Sequence, residues 1–155
     1  MNRMRIVPVV MAVVVLGCGL VLVARAQTDE APLPNVSGTY DCNPIFGQMH
    51  LFQRGRYVIG GYEWDRGCIQ GLLNGNVMTG EWVESPTYKG KRDSGLCRLT
   101  FTADGSSFTG TWGYDTEYTG GKYGWNGARS SATVSTEHKA AVLDQLVDWQ
   151  ATRIK

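Results

Sequence analysis

Three stretches of the chain share one spacing: GRYVIGGY at residues 55–62, GNVMTGEW at 75–82 and GSSFTGTW at 105–112. In each, a leading glycine is followed at offsets of three, five and seven residues by an apolar residue, a second glycine and an aromatic residue. The last three positions are two residues apart, which places them on one face of a β-strand. Each stretch therefore predicts a tight turn and the return strand of a hairpin.

The residues at the predicted turns support this interpretation. Asn74-Gly75 and Asp104-Gly105 are strong hairpin signals, because Asn, Asp and Gly tolerate a positive φ. Alternation before and after the turns predicts eight strands joined by short connections, and therefore an antiparallel meander. The predicted strands cover residues 36–42, 47–53, 57–63, 68–73, 76–83, 95–102, 107–113 and 122–129.

Eight strands with one apolar face are enough to close into a barrel, which removes exposed edges. Inward glycines opposite inward Trp or Tyr supply the alternation of small and large side chains that a narrow barrel needs. The repeat period of about 20 residues also fits a hairpin solenoid. The favoured prediction is an all-β, antiparallel, up-and-down eight-stranded β-barrel over residues 36–133.

Composition bounds the function. The chain has 155 residues, 20 glycines and 16 aromatic residues (5 Trp, 7 Tyr, 4 Phe), and its net charge is +1. This length suits one ordinary domain. A charge near zero argues against a nucleic-acid binder, which normally carries a basic face, and the abundant aromatic residues argue against a disordered chain.

The N-terminus predicts export. Arg3 and Arg5 precede an apolar run over residues 6–23, and Ala24-Arg25-Ala26 places small residues where a signal peptidase reads them, which predicts a signal peptide over residues 1–26 and cleavage before Gln27. The expected location is the periplasm or the secreted medium. Two alternatives remain, a retained membrane anchor and a lipoprotein anchored through Cys18.

Removing residues 1–26 deletes three arginines and no acidic residue, so 12 Lys and Arg remain against 14 Asp and Glu. Residues 27–35 are polar and proline-rich and are predicted to form a flexible linker. Cys42, Cys68 and Cys97 remain in an oxidising compartment, which predicts one disulfide and one free thiol. The pairs considered are Cys42–Cys68 and Cys68–Cys97.

The C-terminal segment, residues 134–155, is predicted to form a short α-helix. Ser135 or Thr136 can cap it, and Leu143, Leu146, Val147 and Trp149 follow at helical spacing. The stripe predicts packing against the barrel, and the alternative is a docking helix for a partner or a membrane surface.

No catalytic or metal-binding pattern stands out. The two histidines, His50 and His138, belong to no Cys/His cluster with metal spacing, and His50 is predicted to point outward. The carboxylate pairs Glu81/Glu84 and Asp115/Glu117 are expected to be solvated, on the outer face or in loops. We therefore expect neither a catalytic residue, nor a metal, nor a cofactor.

A small-molecule site is predicted inside the barrel. Polar groups that face the interior must be satisfied by a neighbour, by water or by a ligand. A pocket lined with Trp and Tyr suits a small hydrophobic or aromatic molecule, although the same rings can simply fill the core. The predicted ligand-binding residues are Tyr40, Gln53, Tyr62, Trp82, Trp112, Trp125 and Arg129.

Two long loops form a second candidate site. Residues 85–95 carry Lys89, Lys91 and Arg92, and residues 114–122 carry acidic residues and tyrosines. Long loops on a barrel rim are natural places for contact with a partner, and ordinary solvated loops are the alternative.

These hairpins behind a signal peptide resemble the avidin-like and lipocalin-like eight-stranded barrels. In the avidin family the first strand reads G-x-W-x-N, and a Gly-Ser pair follows. Here Gly38-Thr-Tyr40-Asp-Cys42 places Cys at the Asn position, and Gln48 stands at the Ser position. Tyr62 alone matches a ligand residue of that family, so the resemblance does not imply biotin binding. Tyr40-x-Cys42 is also similar to small-barrel lysozyme inhibitors of the periplasm.

The sequence thus supports two main hypotheses. The first is an exported, non-enzymatic barrel that binds a small hydrophobic ligand in its interior. The second is an interaction or inhibitor module that engages a protein through its rim loops around a solid interior. An enzyme is a third hypothesis, and no nucleic-acid partner is expected. Contact with a membrane is expected only if the N-terminal segment is retained or lipidated.

Overall fold

A computed structural model of the protein describes residues 32–43 and 45–153. The expected signal peptide and the alternative lipidation site at Cys18 lie outside the described residues. Of the helices that the described residues form, none has the length and hydropathy to cross a bilayer.

Eight antiparallel strands form a closed barrel in which every strand pairs with its neighbour in the sequence and β1 pairs with β8. This confirms the predicted up-and-down barrel. The strands are β1 (Gly38–Cys42), β2 (Gln48–Arg54), β3 (Tyr57–Tyr62), β4 (Gly67–Asn74), β5 (Val77–Val83), β6 (Ser94–Phe101), β7 (Ser107–Tyr114) and β8 (Gly127–Ser131).

The eighth strand differs from its predicted range of 122–129, because residues 115–126 form a loop that folds back along β7. The Gly121 amide donates to the Trp112 carbonyl at 3.0 Å, and the Trp125 amide donates to the Gly110 carbonyl at 2.9 Å. Only two residue pairs, Ser107–Ala128 and Phe108–Gly127, then join β7 to β8. The loop replaces part of the ladder, and Trp125 reaches the core without belonging to a strand.

The barrel interior combines large rings with glycines, as predicted. A Cβ on Gly67 would lie 2.0 Å from the Tyr62 ring, and a Cβ on Gly127 would lie 2.5 Å from the Phe108 ring. Only glycine therefore lets these rings lie flat against the neighbouring strand. The fully buried interior includes Tyr40, Met49, Leu51, Tyr62, Ile69, Leu73, Met78, Trp82, Leu99, Phe101 and Trp125.

The C-terminal helix is the longer of two α-helices, α1 (Gly90–Asp93) and α2 (Thr136–Arg153). Ser135 caps α2, since its hydroxyl accepts the His138 amide at 3.2 Å. Val142 and Trp149 are buried, and the helix packs across the outer wall of β2–β4. Leu143 and Val147 remain exposed, so only part of the predicted apolar stripe is covered.

The predicted disulfide is wrong, because Cys42, Cys68 and Cys97 are all free. Cys42 and Cys97 pack with the barrel interior, whereas Cys68 lies on the outer face of β4 in a cluster with Trp149. Neither pair that we considered can therefore form without reversing the face of a strand. Burial raises the pKa of each thiol to about 12.

The two ends of the barrel are built differently. At one end, which we call the turn end, short turns join β2 to β3, β4 to β5 and β6 to β7, and the chain arrives through residues 32–37. At the other, the loop end, longer connections join the remaining strands. These connections are residues 43–47 (with residue 44 outside the description), 63–66, 84–93 and 115–126.

Candidate functional site

The turn end is closed by the incoming chain. The Val36 amide donates to Gln53 Oε1 at 2.7 Å, and the Arg129 guanidinium donates to the Asn35 carbonyl at 2.8 Å. Tyr40 donates its hydroxyl to the Gly105 carbonyl at 2.7 Å, and burial raises the pKa of this phenol to about 12. Three of the predicted interior ligand residues, Tyr40, Gln53 and Arg129, therefore bind the protein's own backbone.

The other four predicted ligand residues pack together near the loop end. Trp82 and Trp112 meet edge to face with ring centroids 5.4 Å apart, and Tyr62 meets Trp125 in the same way at 5.0 Å. Phe46, from the β1–β2 connection, stacks on Trp125 at 4.6 Å. These separations are those of rings in direct contact, so the aromatic side chains fill the interior.

Depressions of the described surface lie outside this interior. Three of them have volumes of about 370, 330 and 230 Å³, and none is lined by the Trp82–Trp125 cluster or by Tyr62. The smallest is an apolar groove between α2 and the wall, lined by Phe52, Ile59, Lys139, Val142, Leu143 and Leu146. Of the seven predicted ligand residues, only Gln53 lines one of these three depressions, the one of about 370 Å³ beside Asn35 and Gly55, and the other six line none of the three.

Exposed aromatic side chains collect at the loop end. Trp64, Tyr114 and Tyr123 are 48%, 44% and 48% exposed, although each lies beside a buried strand end. Tyr114 packs edge to face on both Trp82 and Trp112, which extends the interior aromatic cluster to the surface. The loop end therefore presents rigid rings to solvent. The other large exposed apolar residues, Tyr57, Leu72, Leu143 and Val147, lie on the outer wall or on α2.

Backbone strain is also confined to the loop end. Among the described residues, those with positive φ that are not glycine are Asp65, Arg66, Tyr88 and Asp115, with φ between 43° and 58°. All four belong to loop-end connections. At the turn end the corresponding positions are glycines, at Gly55, Gly75 and Gly105. Strained residues of this kind cluster at functional sites when the surrounding structure holds them in place.

The two loops predicted to contact a partner meet at this end. Lys91, in α1, lies 3.9 Å from the Asp115 carboxylate of the following loop, and the Asp115 amide donates to the Ser94 carbonyl at 3.0 Å. Lys89, Lys91 and Arg92 are all exposed. Acidic side chains surround them, so the loop end carries charge of both signs.

Glu84 follows β5 directly, and its side chain is partly buried. It accepts the Tyr62 hydroxyl at 2.9 Å, and burial raises the pKa of its carboxyl to about 7, with the nearby Asp65 and Asp93 adding to the shift. The predicted pair of Glu81 and Glu84 is separated, since Glu81 lies on the outer wall and binds Arg153 at 2.7 Å. Glu84 is therefore less solvated than we expected.

Two buried polar atoms lack a hydrogen-bond partner among the described residues, Asn43 Oδ1 and Trp125 Nε1. Both belong to loop-end segments, and the Asn43 amide donates to the neighbouring Asn126 carbonyl at 3.1 Å. One atom is an acceptor and the other a donor. Buried polar atoms without a hydrogen bond are rare, because they raise the free energy of the folded state. At this end they add to the free-energy cost of the strained backbone.

Helix α2 supports the loop end from the side. Asp148 binds Arg66 at 2.8 Å, and Trp149 packs with Tyr88, so one face of the helix holds two of the four strained residues. No group of three His, Cys, Asp or Glu side chains suited to a metal ion occurs in residues 32–43 and 45–153.

The chain matches no protein-family model, no curated protein and no solved structure. The functional proposal therefore rests on the geometry of this chain. The sequence predicts the two loops but singles out neither Trp64 nor Tyr123, and it places Glu84 in solvent. Trp64 lies just after the first repeat, and Tyr123 lies within the predicted range of the eighth strand. The half-burial of Glu84 depends on the tertiary position of Tyr62.

Proposed function

We propose that the protein is a non-enzymatic binding module of an exported compartment, and that its loop end engages another protein. The observation that carries this proposal is the coincidence, at one end of the barrel, of exposed aromatic rings with strained, non-glycine backbone. The export itself is inferred from residues 1–26 of the sequence.

The chemistry of the loop end supports a protein partner. Trp and Tyr supply large, rigid contact area at low cost in conformational entropy, and they are enriched at the energetic centres of protein interfaces. The Tyr114 ring packs on Trp82 and Trp112, the Tyr123 ring lies against the Lys122 ammonium, and the Trp64 backbone amide donates to the Phe46 carbonyl at 3.4 Å before any partner arrives. Pre-organisation of this kind lowers the cost of association.

The packed interior favours this function over the carriage of a small ligand. Tyr40, Gln53 and Arg129 already have backbone partners, and Trp82 donates to the Gly113 carbonyl at 3.1 Å. A hydrophobic ligand would have to displace buried rings. The proposed kinship with avidin-like and lipocalin-like barrels accordingly rests on the repeated hairpins and not on a shared ligand.

In-cell crosslinking followed by purification from the exporting cell tests the proposal. The triple variant Trp64→Ala, Tyr114→Ala, Tyr123→Ala should reduce the crosslinked protein partner at least about tenfold, since central aromatic side chains often contribute 2 kcal/mol or more. The matched control is Tyr57→Ala, Leu72→Ala, which removes equally exposed apolar side chains from the outer wall.

The control should capture the partner as the wild type does. Equal capture by the loop-end triple and the wild type, or a loss confined to the wall variant, would contradict the proposal. A further variant, Lys89→Ala, Lys91→Ala, Arg92→Ala, shows whether the basic residues predicted from sequence contribute. They lie on the same rim, and we expect a smaller, salt-dependent loss.

A further inference from the structure

The two histidines of the chain, far apart in sequence, stack on each other between α2 and the barrel wall. Their ring centroids are 4.2 Å apart and the rings are inclined by 20°. His50 lies on the outer face of β2, as predicted, but it is only 6% exposed because α2 covers it. His138 lies in the first turn of α2. The stack therefore joins the start of the helix to the wall.

The surroundings of the pair suit neutral imidazoles. The Thr39 hydroxyl lies 3.0 Å from His50 Nδ1, a neutral contact on the β1 side. Burial lowers the pKa of His50, the neighbouring His138 lowers it further, and Glu63 after β3 partly offsets both. The other charged residues of the strands and the helix that carry this contact are Asp41 on β1, Arg54 on β2, and Glu137, Lys139, Asp144, Asp148 and Arg153 on α2.

The position of His138 fixes the second ring of the stack at the start of α2. Its backbone amide donates to the Ser135 hydroxyl at 3.2 Å. Two protonated imidazoles at a stacking distance would repel each other across a partly dry contact. Histidine is the side chain whose charge changes most readily between pH 5 and 8.

The contacts of α2 with the barrel differ between its two halves, and they indicate which half would detach from the wall. The C-terminal half is held by buried Trp149 and by ion pairs from Asp148 to Arg66 and from Arg153 to Glu81. In the N-terminal half, Val142 is the buried apolar side chain, and Leu143 is 60% exposed at the edge of the groove between the helix and the wall. The histidine stack is therefore a large share of what holds that half to the wall.

We propose that the His50–His138 stack is a pH-sensitive clasp, which holds the N-terminal half of α2 at neutral pH and releases it when the imidazoles are protonated. A histidine whose pKa is lowered by folding contributes stability that is present above its ordinary value near 6.5 and is lost as pH falls below it. Release would bare the apolar wall residues Phe52 and Ile59 in mildly acidic surroundings. The inference does not depend on the proposed function of the loop end.

Hydrogen exchange followed by mass spectrometry tests the clasp on the full exported chain, without any partner. Between pH 7.5 and 5.0, after correction for intrinsic exchange rates, amides of residues 140–146 should lose about tenfold or more in protection, because release of the helix opens their backbone hydrogen bonds to solvent. Amides of β5 to β7 should keep theirs. Unchanged protection of 140–146 at pH 5.0 would overturn the proposal.

His138→Phe keeps an aromatic ring in the stack but removes one of its two ionisable groups, so protection of the helix should depend less on pH, with a residual response from the buried His50. Glu137→Gln is the matched control, because it alters charge in the same turn and should leave the pH response intact. A pH response in His138→Phe as large as that of the wild type would overturn the proposal. So would imidazole NMR titrations of the wild type that show both histidines titrating at the ordinary value, a measurement that needs no variant.

Discussion

The connections between neighbouring strands differ in length and in backbone conformation at the two ends of this barrel. At the turn end, Gly75 and Gly105 take positive φ where glycine does so at little cost. At the loop end, Tyr88 and Asp115 take similar angles with side chains attached. Among the described residues, the buried side-chain atoms without a hydrogen-bond partner, Asn43 Oδ1 and Trp125 Nε1, both lie in loop-end segments. The comparison shows that backbone strain and unsatisfied polar atoms are concentrated at one end of the barrel, the end proposed to bind a partner.

The largest expected effect tests whether the interior is equally solid near both ends. Trp125→Ala near the loop end and Phe101→Ala near the turn end should each cost about 3–5 kcal/mol in the free energy of unfolding, because both rings are fully buried. Urea denaturation measures the loss. Exposed Trp64→Ala, the control, should change stability by no more than about 0.5 kcal/mol.

A loss below about 1 kcal/mol for Trp125→Ala, beside a full loss for Phe101→Ala, would reverse the interpretation of the loop end. The ring would then be dispensable to packing there. The interior carrier predicted from the sequence would become the better hypothesis.

The next prediction concerns closure of the turn end by the incoming chain. Gly75 and Gly105 have φ of 58° and 68°, but a Cβ on Gly75 meets open space, whereas one on Gly105 would lie 2.2 Å from the Asn35 carbonyl oxygen. Gly75→Ala should cost about 1 kcal/mol through backbone strain alone. Gly105→Ala should cost at least about 1 kcal/mol more, because the Arg129 contact to Asn35 is disturbed.

Thermal and urea unfolding measure both glycine variants, and hydrogen exchange at residues 33–37 locates the difference. Faster exchange there should appear in Gly105→Ala only. Equal losses in the two variants would show that residues 32–37 do not brace the turn end.

The same contrast explains how much could be predicted from sequence. The strands, the barrel and the turn end follow from local signals, since the Asn74-Gly75 and Asp104-Gly105 dipeptides specify their turns within a few residues. The loop end depends on contacts between distant segments. Trp125 stacks on Phe46, and Lys91 approaches Asp115, although no local pattern relates them. The cluster that Cys68 forms with Trp149 of α2 likewise joins segments that no local pattern relates.

The last expected effects depend on pH and come from two carboxyl groups, one at each end, whose pKa values shift in opposite directions. Hydrogen bonds from the Ser106 amide and the Thr102 hydroxyl lower the pKa of Asp104 at the turn end to about 2, so this group stabilises the fold above its ordinary value near 3.8 and loses that effect as pH falls toward 2. Burial raises the pKa of Glu84 at the loop end from 4.5 to about 7. Its charged form therefore opposes folding, and the opposition grows as pH rises through that range.

Glu84→Gln keeps an oxygen to accept the Tyr62 hydroxyl and removes the charge. It should raise the free energy of unfolding by about 1–2 kcal/mol at pH 8, with the shift discounted for partial solvent screening, and should have little effect at pH 4. Asp104→Asn should act in the opposite sense, lowering stability at pH 7 and having less effect as pH approaches 2. Thermal unfolding across this pH range measures both variants. A Glu84→Gln gain that does not change between pH 4 and pH 8 would mean that the carboxyl is solvated and that its ionisation does not oppose folding.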